Sequence, residues 1–211
     1  MNRGRAWHLA TALVATGAVL FQLVLVWQGN AVLDDVEPPG LAERLIRFIG
    51  YFTILSNILV AWVTWTLGLG RGHRGTGWRT LRLTSLVAIT VTGIVHWFLL
   101  RPLLDLEGAD YLADKLLHVA VPLLAVIGWV AFGPRGRVQG RDVLASLVFP
   151  ITWLAYTLVR GAVTGFYPYP FLDADTQGHA AVSIVSLGIA VLFVALAALA
   201  WKGDERLART R

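Results

Sequence analysis

Polar and apolar positions divide the chain into six apolar stretches, at residues 7–29, 46–69, 80–100, 111–132, 142–163 and 177–201, with short polar segments between them. Each is near the ~20 residues that an α-helix needs to cross the hydrocarbon core of a bilayer. A lone segment in lipid must satisfy all its own backbone donors and acceptors, which only a helix does. Trp7, Trp27, Trp65, Trp97, Trp129 and Trp201 stand near the ends of these runs, where indole rings favour the membrane–water interface. The pattern predicts an all-α polytopic membrane protein, a single six-helix domain over residues 1–211.

Composition agrees with this reading. The chain is 56% hydrophobic and 15% charged, against about a quarter charged in soluble domains. The first run follows Arg3 and Arg5 as a signal sequence would. It is too long for a signal core and lacks a small-x-small cleavage site, so it is expected to be a retained first helix. With no cysteine present, disulfides, a cysteine nucleophile and thiolate metal sites are all excluded.

The net charge of +5 does not point to nucleic acid, because the basic residues fall in alternate gaps between apolar runs. Arg3, Arg5, Arg71, Arg74, Arg79, Arg82, Arg135, Arg137, Arg141, Lys202, Arg206, Arg209 and Arg211 lie on one side, 13 of the 18 basic residues. Arg44, Arg47, Arg101, Lys115 and Arg160 lie on the other, with 10 of the 13 acidic residues. An excess of Lys and Arg marks cytoplasmic loops, so both termini are expected inside. The arginine-rich composition and short loops point to a bacterial plasma membrane. The outer gaps are the longer ones, notably the aromatic run from Gly165 to Asp173, and suggest that the working face is the outer one.

Ionisable or strongly polar side chains inside apolar helices are candidates for function. Thr53 and His118 each lie about seven residues below the outer start of their helices, or ~10 Å at 1.5 Å per residue. They meet if the second and fourth helices are neighbours. Asn57 follows Thr53 by four residues and Asp114 precedes His118 by four, so each pair shares a helix face. Thr92 with His96, and Thr152 with Tyr156 and Arg160, give two more such stripes. Four stripes at matched depth predict a shared polar cavity. The plainer alternatives are helix–helix hydrogen bonds for the threonines, Asn57 and the histidines, an outward-reaching Arg160, and interfacial roles for Tyr167 and Tyr169.

Other chemistries find less support. The glycine-rich segment from Gly68 to Gly77 lacks the ending of a phosphate-binding loop, and no HExxH or Gly-x-Ser-x-Gly pattern is present. Zinc is an alternative, since His96, His118 and His179 all lie toward the outer side and could act with Asp114. A non-enzymatic lipid-binding or transport protein is another; Pro122 and Pro150 interrupt two helices, but matched broken halves are weak here.

Three blocks carry a resemblance. Tyr51-Phe-Thr-Ile-Leu-Ser-Asn57, Leu117-His118-Val-Ala-Val-Pro122 and the segment from Thr157 to Asp173, with Val-Thr-Gly and Tyr-Pro-Phe-Leu, resemble in the same order blocks of the androgen-induced-protein family of transmembrane threonine hydrolases. Bacterial relatives are described as six-helix membrane proteins. The resemblance implies an intramembrane hydrolase of fatty acid esters, such as fatty acid esters of hydroxy fatty acids, with Thr53 as nucleophile and His118 as base. No metal or other cofactor is then needed. On this reading Asp114 orients the imidazole, Asn57 and His96 are candidate oxyanion donors, and Arg160, beside Tyr156, holds the carboxylate of a membrane lipid substrate.

Overall fold

The structure is a computed structural model and describes residues 2–30, 39–72 and 75–209. Arg74 and Arg211, used above in the charge count, lie outside the described residues. All regular structure among the described residues is helical: α1 (Arg3–Gln28), α2 (Leu41–Gly50), α3 (Phe52–Gly68), α4 (Thr76–Val95), α5 (Gly108–Lys115), α6 (Val121–Phe132), α7 (Gly140–Ser146), α8 (Val148–Thr164), α9 (Ala174–Gln177) and α10 (His179–Arg209). A π-helical segment, His96–Leu100, extends α4, and a second, Leu116–Ala120, joins α5 to α6.

Five of the resulting helices are long and apolar enough to cross a membrane: Arg3–Gln28, Thr76–Leu103, Gly108–Phe132, Gly140–Thr164 and His179–Arg209. The expected span at 46–69 differs. Its apolar run is split into α2 and α3, which meet at 66°. Tyr51 breaks the ladder with extended backbone (φ −72°, ψ 128°), directly after Gly50, a residue that weakens helices. The pair counts as a sixth span only if it is taken as one bent unit. Along α2, Ala42, Ile46 and Ile49 form an exposed apolar stripe, while Arg47 bonds Glu43 at 2.8 Å.

The chain divides into two compact units. The first comprises Met1–His73 and Thr92–Gly133, the second Arg74–Val91 and Pro134–Arg211. In the first, α1 packs along α3 and α6. The buried face of α1 is made of small residues, Ala12, Ala15 and Ala18, which let helix backbones approach where lipid offers no hydrophobic drive between helices. Tryptophan donors stitch the same contacts: Trp7 Nε1 bonds the Leu124 carbonyl at 3.0 Å and Trp65 Nε1 bonds Thr16 Oγ1 at 3.1 Å. The outward faces are apolar, with Leu13, Leu20, Val24, Ile58 and Trp62 exposed, whereas Ser56, Asn57, Thr92 and His96 are buried. Soluble monomers rarely expose large contiguous apolar patches. Apolar outside and polar inside is the arrangement that suits lipid.

In the second unit, two buried carboxylates organise the connection between α6 and α7. Asp204 on α10 accepts the backbone amides of Arg137 and Val138, at 2.7 and 3.0 Å. Asp142 closes a capping box with Gln139 at the start of α7 and bonds Arg79 at 3.2 Å. At the far end of α8, Tyr167 folds back so closely on Gly161 that any side chain there would collide with its ring.

Candidate functional site

The first unit gathers Thr53, Ser56, Asn57, Thr92, His96, Asp114 and His118. The break at Tyr51 starts α3 immediately before Thr53, so the threonine sits in the first turn of a new helix. Both histidines lie in π-helical segments. Such widened turns displace side chains from ordinary helical register and occur often at functional sites.

Thr53 Oγ1 lies 3.2 Å from His118 Nε2. The other ring nitrogen, Nδ1, lies 3.0 Å from Asp114 Oδ1 and 3.1 Å from the Asp114 carbonyl. An ionised carboxylate and a carbonyl are acceptors only, so Nδ1 carries the proton and Nε2 is left to accept from the threonine hydroxyl. That order of contacts, hydroxyl to imidazole to carboxylate, is the geometry of a hydrolase triad.

His96 completes the cluster. Its ring stacks on that of His118, with centroids 3.8 Å apart and planes at 13°. Its Nε2 lies 3.2 Å from Asp114 Oδ1, within reach, yet neither ring nitrogen makes a well-aligned hydrogen bond, and the residue is only 1% exposed. Lys115 Nζ takes the second oxygen of Asp114 at 2.8 Å. A buried carboxylate is tolerated only when paired and hydrogen-bonded. Asp114 has an ammonium and two imidazoles around it.

A second layer fixes the turn that carries Thr53. Asn57 Nδ2 donates to the Thr53 carbonyl at 2.8 Å and to the Leu117 carbonyl at 3.3 Å, linking α3 to the π-helical segment of His118. Both amide hydrogens are thereby committed, so Asn57 positions Thr53 rather than serving as an oxyanion donor. Ser56 Oγ donates to the Thr53 carbonyl at 3.0 Å and shares a 2.9 Å hydrogen bond with Thr92 Oγ1. Ser56 and Lys115 escaped sequence reasoning. The only signals were their places beside Asn57 and Asp114.

The remaining candidates belong to the second unit. On α8, Thr152 and Tyr156 are exposed, Tyr156 at 47%, and the Arg160 guanidinium stacks over Phe166 at 5.1 Å. The buried face of α8 carries Thr157 and Gly161 instead. His179 opens α10 and is exposed. The residues whose possible ligand atoms converge, among those described, are His96, Asp114 and His118, all within 4.8 Å of one another.

Compared with protein families, with curated protein sequences and with solved structures, the chain gives no match.

Proposed function

We propose that the chain is a plasma-membrane hydrolase of fatty acid esters, of the androgen-induced-protein kind, with six spans and both termini in the cytoplasm. The observation that carries the chemistry is the run of contacts from Thr53 Oγ1 to His118 Nε2 at 3.2 Å and from His118 Nδ1 to Asp114 Oδ1 at 3.0 Å. Its setting, buried among apolar helices, favours a lipid substrate.

The reaction runs in two halves. Thr53 Oγ attacks the ester carbonyl carbon as its proton passes to His118 Nε2, because a threonine hydroxyl is a poor nucleophile until a base relieves it of that proton. The tetrahedral intermediate collapses, the bond to the alcohol oxygen breaks, and His118 returns the proton to the leaving alcohol. Water then attacks the acyl-threonine with the same base, releasing the fatty acid and restoring Thr53. Asp114 orients the ring and stabilises the imidazolium. His96, with a buried ring N–H left uncommitted among the described residues, is assigned the developing oxyanion.

The test is labelling by a fluorophosphonate probe of the detergent-solubilised protein, comparing wild type with Thr53→Ala and His118→Ala. Labelling of the wild type that both variants lose supports an activated threonine. A well-folded wild type that stays unlabelled sinks the proposal.

A second reading rests on the converging ligand atoms of His96, Asp114 and His118. Two imidazoles and a carboxylate suit a zinc ion that activates water. Lys115 competes for the same carboxylate at 2.8 Å, which makes this the weaker of the two. Stoichiometric zinc in protein purified without chelators, lost in His96→Ala, would reverse that order.

A further inference from the structure

We infer that α2 is an interfacial helix: it lies along one surface of the bilayer, at the end of α1, with its apolar stripe docked on the lipid of that leaflet. Such a helix needs three different sides, and α2 has them. Phe48 is buried and makes the side packed on the protein. Ala42, Ile46 and Ile49, spaced at i, i+4 and i+7, make one exposed apolar side. Glu43 and Arg47, joined at 2.8 Å, make a charged side on the remaining arc. Apolar residues on one side and basic ones on another is the pattern of helices that lie in the interface. The upper half of an upright span would have no use for the charged side, because charge in the hydrocarbon is costly.

The level of α2 agrees with this placement. Arg44 Nη2 donates to the Trp27 carbonyl at 3.3 Å, and a Cβ on Gly29 would lie 3.0 Å from Arg44 Nη1. The helix therefore sits beside the last turn of α1. With 26 residues at ~1.5 Å each, α1 is longer than the ~30 Å hydrocarbon core, so its end reaches the surface. Trp27 is exposed there, as indoles are at the interface. Direction agrees as well. At Tyr51 the axis turns by 66°, so with α3 crossing the bilayer α2 runs nearer to the membrane plane than to its normal. The 17 residues of α3 meet the lower limit for a span of its own. Finally, α1 packs against α2 and exposes Val24 and Trp27 at that end, so lipid at this level meets both helices. On the hydrolase reading above, Thr53, two residues beyond the break, then stands near the boundary of headgroups and acyl chains. The placement of α2 does not depend on that reading.

The chain has no cysteine, so spin labels can be placed singly through Ala42→Cys, Glu43→Cys, Ile46→Cys and Ile49→Cys. The full chain is reconstituted in nanodiscs of phosphatidylcholine and phosphatidylglycerol, and collision of each label with oxygen and with a water-soluble nickel chelate gives its depth. Ala42, Ile46 and Ile49 are exposed and a surface ion pair such as that of Glu43 holds little stability, so the variants should fold; a thermal midpoint checks each one. The labels at residues 42, 46 and 49 should favour oxygen, and the label at residue 43 the nickel chelate. From residue 42 to residue 49 the depth should change by about 4 Å for a helix turned by 66°, against about 10 Å for an upright one at ~1.5 Å per residue. A gradient near the larger value makes α2 half of a straight span and overturns the inference. So does a preference for nickel at all four positions, which would put the stripe in water. Spin–spin broadening that disappears on dilution with unlabelled chain would give the stripe to a second copy, and overturns it too. None of these readings uses hydrolysis, so a chain that fails to react with fluorophosphonate leaves the test intact.

Discussion

Replacing Asp114 by asparagine keeps the shape of the side chain and removes its charge. Three groups lose an anionic neighbour: Lys115 at 2.8 Å, His118 at 3.0 Å and His96 at 3.2 Å. A hydrogen bond to a charged group is worth about 1.5–3 kcal/mol. Lys115 recovers part of its loss by turning to solvent, since its side chain is already 27% exposed. The net destabilisation is therefore about 1–3 kcal/mol, or a fall of about 2–12 °C in thermal midpoint for a chain of this size. Turnover should suffer far more. An asparagine can offer its own N–H to Nδ1 of His118, which drives the imidazole proton to Nε2 and leaves no base facing Thr53. In triads this change lowers turnover by about 10⁴-fold, or about 5.5 kcal/mol of barrier. The assay is hydrolysis of a long-chain p-nitrophenyl ester in micelles, run beside a melting curve of the same sample. If Asp114→Asn melts as expected but turns over within tenfold of wild type, Asp114 is a structural anchor and the relay is wrong.

Three further outcomes follow from the same geometry. Thr53→Ser keeps a hydroxyl 3.2 Å from the base and should retain fluorophosphonate labelling within about a hundredfold, whereas a fully silent serine would mean that the hydroxyl is not the reacting group. Gly93→Ala places a methyl 3.2 Å from the His118 carbonyl and should lower turnover at least tenfold while costing about 1–3 kcal/mol of stability, as overpacking does; melting curves and turnover separate the two. Because the chain has no cysteine, single cysteines can map its topology. Thiols at exposed Arg71 and Lys202 should react with an impermeant maleimide only after the cells are opened, and those at exposed Glu107 and Gln177 before. The reverse pattern would overturn the orientation.

Depth counting along the helices suggested that Thr53 and His118 meet, and the two side chains lie 3.2 Å apart. Helical spacing likewise put Asp114 beside His118 and Asn57 beside Thr53. These relations were legible because each depends on one helix's rise and period, which sequence encodes directly. The rest depends on departures from the regular helix. An apolar run of 24 residues at 46–69 gives no sign of a 66° bend, since the exposed Ile46 and Ile49 before Tyr51 and the exposed Ile58 after it are alike apolar. Nor does residue type announce a π-helical turn. On α8, the stripe of Thr152, Tyr156 and Arg160 was mistaken for the buried face, because polarity alone does not say which side of a helix its neighbours cover. The buried positions there, Thr157 and Gly161, lie one step around the helix.

Gly93 explains how two ordinary helices yield an unusual pair of rings. With no side chain in the way, α4 packs so close that a Cβ at Gly93 would lie 3.2 Å from the His118 carbonyl and 3.4 Å from Pro122. His96 follows Gly93 by three residues, close to one turn, so the same approach lays its ring on that of His118 at 3.8 Å. At that separation two imidazolium charges repel strongly, and one carboxylate, Asp114, lies within 3.2 Å of both rings. In the proposed reaction the cluster takes up one proton, from Thr53, and gives it back to the leaving alcohol. Close packing at a glycine thus sets where the base stands, an effect of positioning transmitted through the backbone of His118 itself.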